Sequence, residues 1–312
     1  MTGSWCLSDR PQLQDLIEVR RQFKLPHEAL VEKDWFVVRA LSAIMAADKG
    51  PFQLVFQGGT ALSRAHRVID RMSEDVDIKI ISDGPPPRRA LKRLRESIST
   101  ELLKAGFKFD PANTDHRFTN YEGRYTVYNL PYVPLAAAQG ALRPEIKIET
   151  AAFASRRPTV ERSVISFVAE AFKQSPEVPE IACAAIVETA AEKFVALTRR
   201  AGAELAGVQL KHDPTLVRHI YDLHVIRKYY DIAEAAALAR EVMQADAENR
   251  GHEFPAYGAD PLAETLRAVA GIAADPGFAS DYATFQRDMV YGQAVEFAVA
   301  IETLKKLAAR LK

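Results

Sequence analysis

Only two cysteines occur in the chain, Cys6 and Cys183, far apart and without CxxC spacing or an adjoining histidine cluster. That pattern excludes a disulfide framework and a thiolate zinc site, and a reducing cytoplasm is the expected setting. No stretch approaches the roughly 18 apolar residues of a membrane span. The opening MTGSWCLSDRPQLQ has no basic segment leading into an apolar one, so neither a membrane anchor nor a secretory leader is expected. An excess of either charge is also missing: 41 Lys and Arg face 41 Asp and Glu. Any hold on a polyanion must therefore come from local patches and not from the overall field, which argues against a bulk nucleic-acid coat protein. Repeats and low-complexity blocks are absent too. What the chain does have is length, 312 residues at 48% hydrophobic, enough for a substantial core and more in keeping with two domains than one.

Residues 27–48 place Leu30, Trp35, Val38, Leu41 and Ile44 at helical spacing, which predicts an amphipathic helix with one stripe toward a core. Gln53-Leu54-Val55-Phe56 reads as a short buried strand running into Gly58-Gly59, and Thr60 opens a second helical stretch, ALSRAHRVI. After SEDVDIKI, the run RRALKRLRESISTELLKAG carries Leu91, Leu94, Ile98 and Leu102 at helical period and is capped at Gly106. Residues 107–170 are rich in aromatic and β-branched types, as in GRYTVYNL and LRPEIKIETAAF, and predict several strands. The prolines of KQSPEVPE suggest a boundary, with a mixed domain over 1–175 and a helical one over 176–312. Residues 246–281 read as loops around one short helix. The expected fold class is α+β: a mixed sheet with covering helices, then a helical C-terminal domain.

The chemistry starts at SEDVDIKI. In an extended strand alternate side chains share a face, so Asp75 and Asp77 lie together while Val76, Ile78 and Ile80 anchor the other side. Two carboxylates held this close repel unless a cation is supplied, and a hard divalent ion, chiefly Mg²⁺, meets that need with oxygen ligands. PEIKIE repeats the pattern with Glu145, Lys147 and Glu149 before an apolar face, so Glu149 is a candidate third ligand. A solvated edge strand and a surface ladder around Lys147 fit the same residues. Upstream, the small residues of Gly58-Gly59-Thr60-Ala61-Leu62-Ser63 would let backbone N–H groups approach a phosphate, with Thr60 and Ser63 as added hydroxyl donors. Thr60 also fits as an ordinary helix cap. Arg88, Arg89, Lys92, Arg93 and Arg95 form a basic helical face, and Arg199-Arg200 add charge. Such patches could grip nucleic acid, but without interleaved stacking aromatics a solvated face fits better.

The ordered set EKDWFVVRALSAI, LVFQGGTALSRAHRVIDRMSEDVDIKI, RPEIKIE, ETAAEKFVALTRR and RHIYDLHVI resembles the nucleotidyltransferase AbiEii/AbiGii toxin family. The resemblance spans residues 32–226, with Gln57 where the family often has lysine and Met72 where an aromatic is common. It implies the minimal nucleotidyltransferase fold of the polymerase-β type, a nucleoside triphosphate substrate, Mg²⁺, and an acceptor hydroxyl for which a tRNA 3′ end is plausible. It also implies a role in toxin–antitoxin or phage-defence systems, with a cognate antitoxin of the AbiEi kind. Lys193 is implied as a triphosphate ligand and Asp222 as a catalytic-site residue that fixes Lys193 or a metal-bound water. Lys193 as a snorkelling surface lysine, and Asp222 paired with Arg218 one turn back, are the plainer alternatives. Modification of a protein hydroxyl, or a catalytically silent nucleotide-binding module, are the competing functions.

Overall fold

The structure is a computed structural model that describes residues 10–136 and 142–312, so Cys6 lies outside it. The chain forms two compact units, one of residues 1–67 and 71–184, the other of 68–70 and 185–312. The first begins with helices α1 (Leu13–Phe23) and α2 (Glu28–Ala46), then strand β1 (Gln53–Gln57) and the short helix α3 (Gly58–Thr60), continued by a π-helical turn over Ala61–Ala65. It goes on through β2 (Asp75–Ile81), α4 (Arg88–Lys104), β3 (Arg117–Asn120), β4 (Tyr125–Pro131), β5 (Glu145–Ala151), β6 (Val160–Val164), α5 (Phe167–Ala171) and β7 (Val178–Cys183). The strands make one sheet in the order β3-β4-β5-β2-β1-β7-β6. It is mixed: β2 with β5 and β1 with β7 run parallel, the other neighbours antiparallel.

Period-two burial sorts the central strands as their sequences imply. Val76, Ile78 and Ile80 of β2, and Ile146 and Ile148 of β5, are buried on one face, while Asp75, Asp77, Glu145, Lys147 and Glu149 stay half-buried on the other. Leu91, Leu94, Ile98 and Leu102 of α4 are buried, and the chain leaves that helix through Gly106 at φ +92°.

In the second unit α6 (Ile186–Leu205), α7 (Val217–Ile226), α8 (Ile232–Arg250), α9 (Pro255–Ala259), α10 (Pro261–Ala274), α11 (Pro276–Met289) and α12 (Phe297–Ala309) form a helical assembly. In it α6 packs on α7, α8 and α10.

Four expectations need correcting. The helix opened at Thr60 stops at Ala65, not Ile69: the His66 ring bonds the Ala184 carbonyl at 2.9 Å and Arg67 turns left-handed at φ +54°. Residues 178–183, expected at the start of the helical half, are a strand pairing with β1 on one side and β6 on the other. Pro179, which has no N–H to give, sits where the β6–β7 register is irregular. The chain therefore divides after Ala184. Residues 246–281 are largely helical, because Asp260-Pro261 and Asp275-Pro276 are helix starts: each aspartate side chain accepts an amide of the next turn, from Ala263 and Gly277, and each proline takes the first helical position. Asp213-Pro214 uses the same device before α7.

The fourth concerns α2, which is buried on nearly every side and not along one stripe, Glu32, Lys33 and Asp34 included. Each of these charges has its partners. Glu32 pairs with Arg10 and accepts from the Leu135 amide at 2.9 Å. The Lys33 ammonium lies 3.4 Å from Glu74 and donates to the carbonyls of Arg143, at 2.8 Å, and Glu145. Asp34 lies 2.6 Å from Arg64 and accepts from the Phe167 amide at 2.8 Å. Burial pulls the Lys33 amine below its ordinary range, against the opposing pull of Glu74. Burial likewise pushes the Asp34 carboxyl up to about 6, which Arg64 and the Phe167 amide offset only in part.

A raised carboxyl pKa means that the folded state holds the proton more tightly than the unfolded chain. The Asp34 contribution to stability is thus complete below its ordinary 3.8 and lost as the pH rises through about 6. Relative to Asp34→Asn, the native protein is expected to gain about 2–3 kcal/mol from pH 7 to pH 4 in urea unfolding. Parallel profiles for the two proteins would show instead that this carboxyl titrates normally.

Candidate active site

The diglycine turn is built against the acidic strand. Gln57 and Asp77 are paired across β1 and β2, and the next residue, Gly58, has φ +77°. A Cβ at Gly58 would stand 2.1 Å from Asp77 Oδ2. Glycine is therefore required twice over, by the backbone angle and by the carboxylate in the space a side chain would fill. At Gly59 a Cβ would come within 2.6 Å of Arg71 Nη2 and 2.7 Å of Ser73 Oγ. The Thr60 hydroxyl donates to the Asp75 carbonyl, tying the turn to the strand, and Ser63 Oγ donates to the Thr60 carbonyl at 3.2 Å. Both hydroxyls thus give their protons to the backbone and shape the turn.

The parallel register of β2 and β5 pairs Asp77 with Glu149 and Asp75 with Lys147. On strands about 4.8 Å apart this sets all four side chains on one face as near neighbours. The Tyr125 hydroxyl donates to Glu149 Oε2 at 2.9 Å, and Lys147 forms an ion pair with Glu149. The ladder anticipated around Lys147 is thus present on the same face as the acids. Burial alone would depress the Lys147 amine, but the bond and charge of Glu149, with Asp75 and Asp77, hold it above its ordinary value. Among the described residues no group of three or more His, Cys, Asp or Glu side chains converges closely enough to hold a metal ion. The backbone makes Asp75, Asp77 and Glu149 neighbours, while Glu149 is turned to its own partners. In chemistry the set still fits a hard divalent cation: carboxylate oxygens on rigid strands, one of them in a space kept clear by Gly58.

In the second unit, Lys193 on α6 and Asp222 on α7 are 8% and 0% exposed and lie 2.9 Å apart, Nζ to Oδ2. The lysine is no snorkelling surface residue, and the aspartate meets it across two helices. Thr189, Ala190 and Leu197, at helical spacing around Lys193, are buried with it. The expected basic residues are mostly engaged: Arg199 with Asp246 at 2.7 Å, Arg200 with Asp213, Arg88 with Glu122, and Arg95 with the Gly123 carbonyl at 3.2 Å. Arg89, Lys92 and Arg93 stay exposed on α4.

Sequence reasoning missed Arg71, Ser73 and Tyr125. Ser73 lies inside the quoted acidic segment, so its nearness to the turn was within reach. Tyr125 depends on the β4–β5 register and leaves no local signal.

The profile of the nucleotidyl transferase AbiEii toxin family, of type IV toxin–antitoxin systems, matches residues 39–303. The chain belongs to that family: it is a nucleotidyltransferase toxin of the type IV class. Its fold resembles that of MenT4, a nucleotidyltransferase toxin from Mycobacterium tuberculosis H37Rv, at TM-score 0.59 and 18% identity, over 95% of this chain and 89% of that one. Among curated protein sequences none matches significantly. No helix among the described residues is long and apolar enough to cross a membrane.

Two outcomes follow from the geometry. Asp222→Ala strands a buried ammonium and should cost about 3–5 kcal/mol in chemical unfolding, whereas the paired change Lys193→Met with Asp222→Leu should cost far less. Gly58→Ala should lower stability by roughly 1–2 kcal/mol for the left-handed backbone alone. It should also abolish nucleotide transfer, because the Asp77 carboxylate must move.

Proposed function

We propose that the protein transfers a nucleoside monophosphate from a nucleoside triphosphate to the 3′-hydroxyl of a tRNA and thereby blocks translation. One observation carries this reading: the carboxylate of Asp77 packed into the Gly58 turn with Glu149 as its paired neighbour, an acidic face set directly against a backbone turn able to receive phosphate. In the reaction the acceptor oxygen attacks the α-phosphorus and its proton passes to a carboxylate of the set. The bond from the α-phosphorus to the bridging oxygen breaks, and pyrophosphate leaves with that electron pair. Asp75, Asp77 and Glu149 would hold Mg²⁺, which when bound supplies positive charge to the phosphate oxygens. The amides of Gly58, Gly59 and Thr60 orient the phosphates, and Lys193, held by Asp222 within the second unit, is taken as a triphosphate ligand on the family resemblance. The type IV class implies an antitoxin, which we take to be of the AbiEi kind, and a tRNA acceptor places the activity in the cytoplasm and fits a role in phage defence.

Incubation with α-labelled nucleoside triphosphates and total cellular RNA tests this. Label should enter the tRNA fraction, vanish with EDTA, return with Mg²⁺, and fall by more than about 100-fold in Asp77→Asn. Label confined to protein bands would end the tRNA assignment, and undiminished transfer by Asp77→Asn would remove the carboxylate from the reaction.

A further inference from the structure

The acidic face carries a cation of its own. The parallel register of β2 and β5 sets Asp75 against Lys147 and Asp77 against Glu149, so three carboxylates and one ammonium are the corners of a single patch on one sheet face. Lys147 forms an ion pair with Glu149, two residues along its own strand, and the charges of Asp75 and Asp77 act on its amine as well. Its side chain is 40% exposed. An ammonium on a flexible four-carbon stem is thus bound among the carboxylates, with solvent at hand to leave into.

The two oxygens of Glu149 are held differently. Oε1 takes the Lys147 ammonium, while Oε2 accepts from the Tyr125 hydroxyl at 2.9 Å. Tyr125 is on β4, which flanks β5 on the side away from β2. The phenol is uncharged, so its bond to Oε2 is compatible with a metal ion at Oε1, and a carboxylate ligand is ordinarily kept in position by such a bond from a neighbouring group. The ammonium is not compatible: it and a divalent ion compete for one oxygen and repel each other. One partner of Glu149 can stay when an ion binds and the other cannot. This also explains why acids made neighbours by register do not close into a metal-binding group among the described residues.

We propose that Lys147 is a tethered stand-in for the divalent ion: it neutralises the carboxylates, and the ion binds by displacing it from Glu149 while Tyr125 keeps that carboxylate in place. Lys147 thereby lowers the affinity for the ion and Tyr125 raises it, although both hold the same side chain. This role rests on the assignment of Mg²⁺ to Asp75, Asp77 and Glu149 in the function proposed above, and deepens it.

The test is titration of Mn²⁺, as a probe for Mg²⁺, onto the full chain with no nucleotide or RNA present, the free ion being read by electron paramagnetic resonance. Removing one unit charge a few ångströms from a divalent ion is worth roughly tenfold in affinity even at the screening of water, so Lys147→Met should bind Mn²⁺ about tenfold more tightly. Lys147→Arg keeps the charge and should bind no more tightly than the unchanged protein, and neither should Lys92→Met, which removes an exposed cation from α4. Tyr125→Phe should bind roughly tenfold more weakly. Mg²⁺ should also speed acetylation of Lys147, read by peptide mass spectrometry, and leave that of Lys92 unchanged. Unchanged affinity in Lys147→Met would overturn the proposal, as would tighter binding by Tyr125→Phe or a Lys147 no more reactive with Mg²⁺ than without it. Asp77→Asn separates this role from the function it rests on. If that change leaves Mn²⁺ affinity unaltered, the metal assignment fails and the role of Lys147 with it, whereas an affinity that falls in Asp77→Asn yet ignores Lys147 ends the role of Lys147 alone.

Discussion

Three consecutive charges inside a buried helix have no stable arrangement unless each finds a partner, and that constraint organises the first unit. Two of the three, Lys33 and Asp34, find partners that lead into the candidate site. Lys33 meets Glu74, the residue before Asp75, and the carbonyls where β5 begins; Asp34 meets Arg64, at the end of the segment that follows the diglycine turn. An apolar α2 would pack as well or better, since a hydrophobic replacement of a buried ion pair is often no less stable. What the charges add is direction: they draw the entry of β2, the entry of β5 and the glycine turn onto one helix, so three segments distant in sequence have a defined mutual placement.

On that frame the carboxylates of the acidic face are held in place. Asp77 approaches the turn so closely that only glycine is admitted, and Glu149 is held by Tyr125 and Lys147 next to it. Lys147 gives the three carboxylates an internal countercharge, which keeps an otherwise repulsive set on a half-buried surface. Separately, the second unit buries its own pair, Lys193 with Asp222, where removing either charge leaves the other uncompensated.

Much of this was legible in one dimension wherever a short period governs burial. The alternation in DVDIKI and EIKIE located both acidic strands and their anchoring faces, and the leucine spacing of α4 located its buried side. Reading stopped where the deciding term was distant. The helix after Thr60 ends because the His66 ring finds a carbonyl more than a hundred residues away. The stretch 178–183 becomes a strand because β1 and β6 each offer it an edge. The helices of 246–281 were a different failure: Asp-Pro at 260 and 275 carried the same cap as Asp213-Pro214, and the signal was local and overlooked.

By itself the sequence determined the mixed fold class, the family, and which residue types supply carboxylate, glycine and lysine, because each is set by local period or by an ordered set of motifs. Tertiary structure alone decided that Asp77 and Glu149 are paired neighbours, that Tyr125 holds Glu149, and that Lys193 meets Asp222. Strand register and helix contact join residues whose separation along the chain has no periodic mark, and pairing across space follows from packing the whole chain and not from any window of it.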